Sequence, residues 1–176
     1  MNDKQMPDIG FPYVAQADAR VLILGSMPSR KSLTQQQYYA HPQNAFWPLM
    51  SELLDFPADL VYALRLKQLL AKRIALWDVA HACVRQGSLD QAIAMDTVVA
   101  NDFAAFFAQH RDIRTIFFNG RKAEQVYRKL VLRQLDSHMQ SIATHLLPST
   151  SPAHASMNRA EKYLYWSIVK KTLESQ

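Results

Sequence analysis

Four short apolar runs, each followed by a polar stretch and joined to the next by a helical pattern, constrain this chain most. They cover residues 20–24, 73–77, 115–118 and 142–147. Continuous apolar runs of this kind are typical of strands buried on both faces of a parallel sheet. Amphipathic helices between such strands indicate βαβ units with helices on both sides. We therefore expect an α/β fold, namely a three-layer αβα sandwich with a central four-stranded parallel sheet.

The helices are predicted from apolar residues that recur every three or four positions. The clearest pattern consists of Phe46, Leu49, Met50, Leu53 and Leu54. Comparable patterns predict helices over residues 59–71, from Asn101 or Asp102 onward, behind the third strand, and over residues 158–173. Because Asn and Asp are both preferred at helix N-caps, either residue suits the start near position 101.

The length and composition suit a single domain. A chain of 176 residues buries a sizeable core, and no repeat or linker divides it. We expect residues 1–19 to form an N-terminal arm, with Phe11 and Tyr13 docked on a single domain of residues 20–176. No apolar stretch approaches the length of a transmembrane helix, and the N-terminus lacks a signal-peptide pattern. We therefore expect a cytoplasmic protein with no membrane partner.

The charge distribution leaves two interpretations open. The formal net charge is +5 and the pI is about 9.4. Six cationic residues and one acidic residue, Glu124, lie between Arg114 and Arg133. Such a cluster fits an anionic partner such as nucleic acid, but it equally fits the solvated face of a helix.

The chemically unusual residues follow the predicted strands, which end in GSMPS, WDVAH, FNG and PSTSPAH. Ligands of parallel sheets bind outside the carboxyl ends of the strands, so a site is expected there. The loop after the first strand is long and carries Tyr38 and Tyr39, as is typical of a functional loop. The candidate side chains on these loops are His41, Asn44, Asn119, Ser151 and His154.

Several standard sites are excluded by the sequence. The four glycines form neither GxGxxG nor a P-loop, and no GxSxG nucleophile elbow occurs. No histidine pair has the i, i+4 spacing of a helical metal site. Cys83 is the sole cysteine, which excludes an intrachain disulfide and a thiolate cluster. We therefore expect no metal and no cofactor.

Each candidate also has a structural interpretation. Asn44 lies where an N-cap for the Phe46 helix is expected, and His41 could close a turn before Pro42. Asn119 is followed by glycine, which is a common turn dipeptide. Tyr38 and Tyr39 could be core residues, and His154 could be a surface residue. The residue types alone leave these alternatives open.

Four motifs in order resemble the uracil-DNA glycosylase superfamily, and most closely its hypoxanthine-DNA (deoxyinosine) glycosylase branch, which is related to mismatch-specific uracil/thymine DNA glycosylases. The motifs are GSMPS at 25–29, YYAHPQNAFW at 38–47, LWD at 76–78 with GSLD at 87–90, and STSPAHA at 149–155.

The resemblance implies a monofunctional DNA glycosylase that acts as a monomer on DNA containing a deaminated base. Hypoxanthine is the expected substrate, with uracil and xanthine as further candidates. Such enzymes extrude the damaged nucleotide into a pocket, because the glycosidic bond is out of reach inside a duplex. The alternative is a non-catalytic nucleic-acid-binding module that retains the glycosylase fold.

The resemblance also assigns catalytic roles. Met27 falls where mismatch-specific relatives, with the motif GINPG, have the asparagine that holds the attacking water. Asn44 is the expected replacement, and His41 would support it or contact the base. Ser151 takes the position of the usual second-motif histidine, while His154 lies three residues further on.

The remaining roles concern base and DNA contacts. Tyr39 falls where the family stacks an aromatic ring on the extruded base. The expected base-binding residues are Gly25, Ser26, Met27, Tyr39, Phe46 and Asn119. The expected DNA contacts are Arg30, Lys31, Arg121, Lys122 and Ala155. Ala155 occupies the wedge position, and its small side chain favours single-stranded or mispaired substrates.

Overall fold

The computed structural model describes residues 6–175 of the chain. Its strands are β1 (Asp8–Ile9), β2 (Val21–Gly25), β3 (Ile74–Asp78), β4 (Ala80–Cys83), β5 (Val99–Ala100), β6 (Thr115–Asn119) and β7 (Ala143–Leu147). Its α-helices are α1 (Arg30–Gln35), α2 (Phe46–Leu54), α3 (Tyr62–Ala71), α4 (Phe103–Gln109), α5 (Arg121–Leu130), α6 (Ser137–Gln140) and α7 (Arg159–Glu174). Single 3₁₀ turns lie at Asp90–Ala92, Met95–Thr97 and Leu132–Gln134.

The main sheet contains four parallel strands in the order β3-β2-β6-β7. Every residue of β2, β3 and β6 is buried. Alternate side chains of these strands enter two different cores, as the two-residue period of a strand requires. Leu22 and Leu24 pack with α4 and α5, whereas Val21 and Ile23 pack with α2, α3 and α7. The predicted α/β sandwich is therefore confirmed.

The predicted elements differ from the observed ones mainly at their ends. Strands β2 and β3 begin and end one residue later than predicted, and α3 begins at Tyr62 rather than at residue 59. The loop after β2 contains a short helix, α1, whose start is capped by the Ser29 side chain. Asp102 caps α4, and Asn158 forms a capping box with Glu161 at the start of α7.

A second, antiparallel sheet of order β1-β4-β5 lies beside the main one and was absent from the sequence prediction. Its strands have two to four residues, too few to show a period. Strand β4 follows β3 after a single residue, Val79, whose N–H donates to the Gly25 carbonyl at 2.9 Å. Asp78 therefore lies where the chain passes from one sheet to the other.

The segment before β2 contacts both cores. Phe11 packs on the α2 side, while Tyr13 packs on Trp77 and Phe106 with ring centroids 5.3 and 5.0 Å apart. Val14 forms an isolated antiparallel bridge with Leu76. The first five residues of the expected N-terminal arm lie outside the described residues.

Helix α7 is 16 residues long and covers the main sheet on the α2 side. Its Trp166 ring is fully buried, and its Nε1–H donates to the Pro148 carbonyl at 2.9 Å, just after β7. This bond fixes the start of the loop that carries the STSPAHA motif. Between residues 6 and 175, no helix has both the length and the apolar content that a membrane span requires.

Replacing Trp166 with Phe should lower the free energy of unfolding by about 1–3 kcal/mol, because the partly buried Pro148 carbonyl loses its donor. Urea denaturation measures this change. Tyr165→Phe is the matched control, since Tyr165 lies next to Trp166 on α7 and is 54% exposed; its effect should stay within about 0.5 kcal/mol. Equal effects of the two substitutions would contradict the role assigned to this hydrogen bond.

Candidate active site

A cavity of about 520 Å³ opens at the carboxyl ends of the main-sheet strands. The last residues of three strands line it, namely Gly25 of β2, Asp78 of β3 and Asn119 of β6. The predicted site residues that line it are Gly25, Ser26, Met27, Tyr39, Asn44, Asn119, Arg121, Lys122, Ser151 and His154. His41, Phe46, Arg30, Lys31 and Ala155 lie outside its lining.

Tyr38 anchors the loop that carries the second motif. Its N–H donates to the Tyr62 hydroxyl at 3.0 Å, and its own hydroxyl donates to the Pro12 carbonyl at 3.1 Å. Trp47 Nε1–H donates to the Tyr38 carbonyl at 2.8 Å. Because its backbone and side chain are both held, Tyr38 is the core residue that one interpretation of the sequence predicted.

Tyr39 has the left-handed backbone conformation, with φ of 55°, which turns its ring toward the cavity. The ring stacks on Phe46 with centroids 4.0 Å apart. Its hydroxyl is buried and has no hydrogen-bond partner among the described residues. Burial, together with the nearby Asp78 carboxyl, raises the pKa of Tyr39 well above its ordinary value, and the Asn119 amide lowers it by less.

Phe46 was predicted to bind the base, but its ring is fully buried beneath Tyr39 and does not reach the cavity. It also packs edge-on against Trp166, with centroids 5.9 Å apart. Phe46 therefore supports the Tyr39 ring from below.

Asn44 is held by the start of α2. The Phe46 N–H donates to Asn44 Oδ1 at 3.0 Å, so the side chain satisfies a free N–H of the helix, as the capping interpretation proposed. The residue directly before the helix, Ala45, makes no side-chain cap bond. Since Asn44 also lines the cavity, capping and a site role are compatible.

His41 closes the turn that precedes Asn44. Its carbonyl accepts from the Asn44 N–H at 2.8 Å, and its Nδ1 accepts from the Gln43 N–H at 3.2 Å. This geometry makes His41 a support for Asn44 rather than a contact to a ligand in the cavity.

Asn119 is bound at both ends of its amide to Thr150. Its Nδ2 donates to Thr150 Oγ1 at 2.8 Å, and its Oδ1 accepts from the Thr150 N–H at 2.9 Å. The Thr150 carbonyl in turn accepts from the Ala45 N–H at 2.9 Å. This chain of bonds joins β6, the loop after β7 and the start of α2.

The loop after β7 places two further candidates on the cavity wall. Ser151 Oγ accepts from the Ala153 N–H at 3.2 Å, and the Ser151 carbonyl accepts from the His154 N–H at 3.0 Å. His154 Nε2 is buried and lacks a protein partner within the described part of the chain. A ligand in the cavity can supply the missing bond.

The cationic candidates differ in how they are used. Arg121 and Lys122 line the cavity at the start of α5, and Lys31 is exposed on α1, one residue before the lining residue Ser32. Arg30 Nε donates to the Gly87 carbonyl at 3.1 Å, so its guanidinium ties α1 to the GSLD segment. Ala155 borders an adjoining cleft of about 290 Å³, which shares Asn44 and His154 with the main cavity.

Two carboxylic acids on the cavity wall were missed as candidates. Asp78 is only 3% exposed, and its Oδ2 is buried with no hydrogen-bond partner in residues 6–175. Burial, followed by the charge of Asp90, raises the pKa of Asp78 to about 8. Burial also raises the pKa of Asp90, whose Oδ1 accepts from the Ser26 hydroxyl at 2.5 Å. Within the described residues, no group of three or more His, Cys, Asp and Glu side chains could hold a metal ion.

Gly25 provides the space that Asp78 occupies. A Cβ atom on Gly25 would lie 2.3 Å from Asp78 Oδ1 and 3.1 Å from the Tyr39 hydroxyl. Both distances are shorter than ordinary contacts, so the end of β2 admits only glycine while Asp78 keeps its position.

The sequence is also similar to proteins of known families. Residues 11–171 match the sequence model of the uracil DNA glycosylase superfamily. The chain is 40% identical over 157 residues to a hypoxanthine DNA glycosylase of Methanosarcina acetivorans, a match that covers 88% of this chain and 94% of that protein. It is 35% identical over 115 residues to a hypoxanthine DNA glycosylase of Methanosarcina barkeri, covering 65% of this chain and 72% of the relative.

A solved structure is similar over nearly the whole chain. It is a solution NMR structure from Methanosarcina acetivorans that was assigned as a candidate uracil DNA glycosylase. The TM-score is 0.78 at 38% sequence identity, and the superposition covers 96% of this chain and 99% of the other.

Gly25→Ala should lower the free energy of unfolding by about 1–3 kcal/mol, since the new methyl group overpacks the Asp78 carboxyl. Denaturant titration of Gly25→Ala, Asp78→Ala and the double variant forms a complete cycle. Because Asp78→Ala removes the clashing carboxyl, the double variant should recover about 0.5–3 kcal/mol relative to the sum of the single changes. Strict additivity would contradict the proposed contact.

Proposed function

The chain belongs to the uracil DNA glycosylase superfamily, and we propose that it is a monofunctional DNA glycosylase that hydrolyses the N-glycosidic bond of hypoxanthine in DNA. The similarity to a hypoxanthine DNA glycosylase across 94% of that relative's length carries the proposal. Uracil and xanthine are weaker candidate substrates.

The cavity suits an extruded base. Its volume of about 520 Å³ lies in the range of small-molecule sites. Tyr39 offers an aromatic surface, and base–aromatic stacking contributes about 1–3 kcal/mol per base. Because Phe46 already covers one face of the Tyr39 ring, only the opposite face or the ring edge remains for the base.

Asn44 is the proposed holder of the attacking water. The bond from the Phe46 N–H fixes the side chain and occupies one lone pair of Oδ1. A carbonyl oxygen has a second lone pair, which can accept from a water in the cavity. Met27 is buried on the cavity wall, and its thioether is too weak an acceptor for this role.

The developing charges determine the remaining roles. As the glycosidic bond lengthens, the sugar gains positive charge and the base gains negative charge, so donors near the base stabilise the transition state. His154 Nε2 and the Ser151 hydroxyl are the proposed donors on the loop after β7. Asn119, held by Thr150, is the proposed contact to the edge of the base.

Phosphate contacts are proposed at the rim. Lys31, Arg121 and Lys122 lie beside or within the opening of the cavity. The adjoining cleft is lined by Arg159 and Lys162 and continues from Asn44 and His154, which suits the strand that flanks the extruded nucleotide. Cationic side chains along such a path supply the sequence-independent part of DNA affinity.

Purified protein should release hypoxanthine from single- and double-stranded oligonucleotides that contain deoxyinosine. Alkali then cleaves the resulting abasic strand, and gel electrophoresis quantifies the product. Uracil and xanthine strands, tested in parallel, rank the substrates. A protein that binds these strands but leaves all of them resistant to alkali would be the non-catalytic binding module instead.

Asn44→Ala should slow excision of hypoxanthine by about 10²–10³-fold, because the water loses its acceptor. The loss of the bond to α2 should cost about 0.5–2 kcal/mol of stability, measured by denaturant titration. Gln35→Ala is the control, since Gln35 is exposed on α1 of the same loop and lines neither the cavity nor the adjoining cleft. Equal excision rates for Asn44→Ala and Gln35→Ala would reduce Asn44 to a helix-capping residue.

A further inference from the structure

Asp78 is the most unusual group in the cavity. It is the last residue of the buried strand β3, it lines the cavity, and its Oδ2 has no partner in the described chain. An ionised carboxyl without hydrogen bonds in such surroundings is costly, and the usual outcome is that the group keeps its proton. A carboxylic acid that keeps its proton is a hydrogen-bond donor, and Asp78 belongs to the lining of the cavity.

The titratable groups around Asp78 favour the protonated form. Tyr38, Tyr39 and Tyr62 face it from the second-motif loop and α3, and each is a neutral phenol. Asp90 is the last residue of the GSLD segment and the first of the 3₁₀ turn Asp90–Ala92, and its charge disfavours a second negative charge at Asp78. Arg85 acts in the opposite direction, but its guanidinium also donates to Asp8 and to the Pro28 carbonyl.

The two acids have different surroundings. Asp90 accepts from the Ser26 hydroxyl, and Arg85 and Lys122 lower its pKa in part. Within residues 6–175, Asp78 Oδ2 accepts no such hydrogen bond, and Arg85 is the cation that lowers the pKa of Asp78. When two neighbouring carboxyl groups have different surroundings, their pKa values move apart, so that one group ionises while the other stays protonated. Asp90 is therefore the better site for the negative charge, and Asp78 for the proton.

We propose that Asp78 is a catalytic acid that donates its proton to a ring nitrogen of the departing hypoxanthine. This inference rests on the proposed glycosylase function and adds a role that motif comparison did not assign. A purine offers ring nitrogens as proton acceptors, and protonation turns the departing base from an anion into a neutral molecule.

The step balances without a co-reactant. The C1′–N9 bond breaks, its electron pair stays on the base, and the Asp78 proton is transferred to a ring nitrogen, so that neutral hypoxanthine departs. The oxygen of the water held by Asn44 bonds to C1′ and loses one proton. That proton returns through solvent to the Asp78 carboxylate and restores the acid.

Single-turnover excision of hypoxanthine by the wild type, measured from pH 5 to pH 10, tests the inference. The rate should fall as pH rises through about 8, where Asp78 loses its proton. Asp78→Asn keeps the shape of the side chain but cannot transfer a proton. The excision rate of this variant at pH 7 should therefore be lower than that of the wild type by a factor of about 10² or more. The decline near pH 8 should be absent from its profile.

Two controls separate Asp78 from other causes. The N1–H of deoxyinosine also ionises in alkali, but that ionisation is common to both proteins and cancels in the ratio of their rates. Asp59→Asn, a change at an exposed position before α3, should reproduce the wild-type profile. If Asp78→Asn does not fold, Asp78→Ser supplies the same comparison.

Thermal unfolding gives a readout that does not depend on glycosylase activity. Because the pKa of Asp78 is raised in the folded state, binding of its proton stabilises the folded protein. This stabilisation is complete below the ordinary pKa of Asp and is lost as the pH rises toward 8. The Tm of Asp78→Asn relative to wild type should therefore be higher at pH 9 than at pH 5.

The outcomes distinguish the two proposals. A wild type inactive on every strand contradicts the proposed function, whereas the difference in Tm still reports the Asp78 proton. An active wild type whose pH profile matches that of Asp78→Asn overturns the role of Asp78 and leaves the glycosylase function intact. An unchanged Tm difference between pH 5 and pH 9 overturns the role as well.

Discussion

The site depends on a carboxyl group that is buried at the end of a fully buried strand and whose Oδ2 has no hydrogen-bond partner among residues 6–175. Asp78 ends β3, where it is paired with Gly25 of β2, and Val79 then carries the chain directly into β4 of the second sheet. Its carboxyl lies against the last residue of β2, and that contact requires the glycine at position 25. Tyr39 closes over the same space, and burial raises the pKa of both side chains.

The rest of the site is connected to this space through a short series of contacts. Tyr39 stacks on Phe46, and the N–H of Phe46 orients the Asn44 amide. Ala45 bonds to the Thr150 carbonyl, and Thr150 holds both ends of Asn119. The proposed base-stacking ring, the proposed water-holding amide and the proposed base-edge amide are thus positioned by one buried network rather than by independent loops. A change at Phe46, which does not reach the cavity, should consequently shift Tyr39 and Asn44, its direct contacts in the network.

The sequence predicted the sheet and the family, because both rest on signals that are local in the chain. Runs such as residues 115–118 are apolar at every position, and HPQNAFW and STSPAHA are long enough to be specific. The β1-β4-β5 sheet was missed because strands of two to four residues have no measurable period. Phe46 was predicted to bind the base as part of the HPQNAFW motif, but the helical register turns its ring into the core. Asp78 was overlooked despite an available signal, since an acidic residue that ends a buried strand lies at the edge where ligands bind.

The protonation state of Asp78 links the buried network to the proposed chemistry, and it can be observed directly. Carbon-13 NMR of the aspartate carboxyl signals, assigned by comparison with Asp78→Asn and followed from pH 3 to pH 10, measures the titration of this one group in the free protein. We expect a midpoint near pH 8. A midpoint near the ordinary value for aspartic acid, about 3.9, would mean that Asp78 is ionised at neutral pH, and it would contradict the assignment of Asp78 as the proton donor.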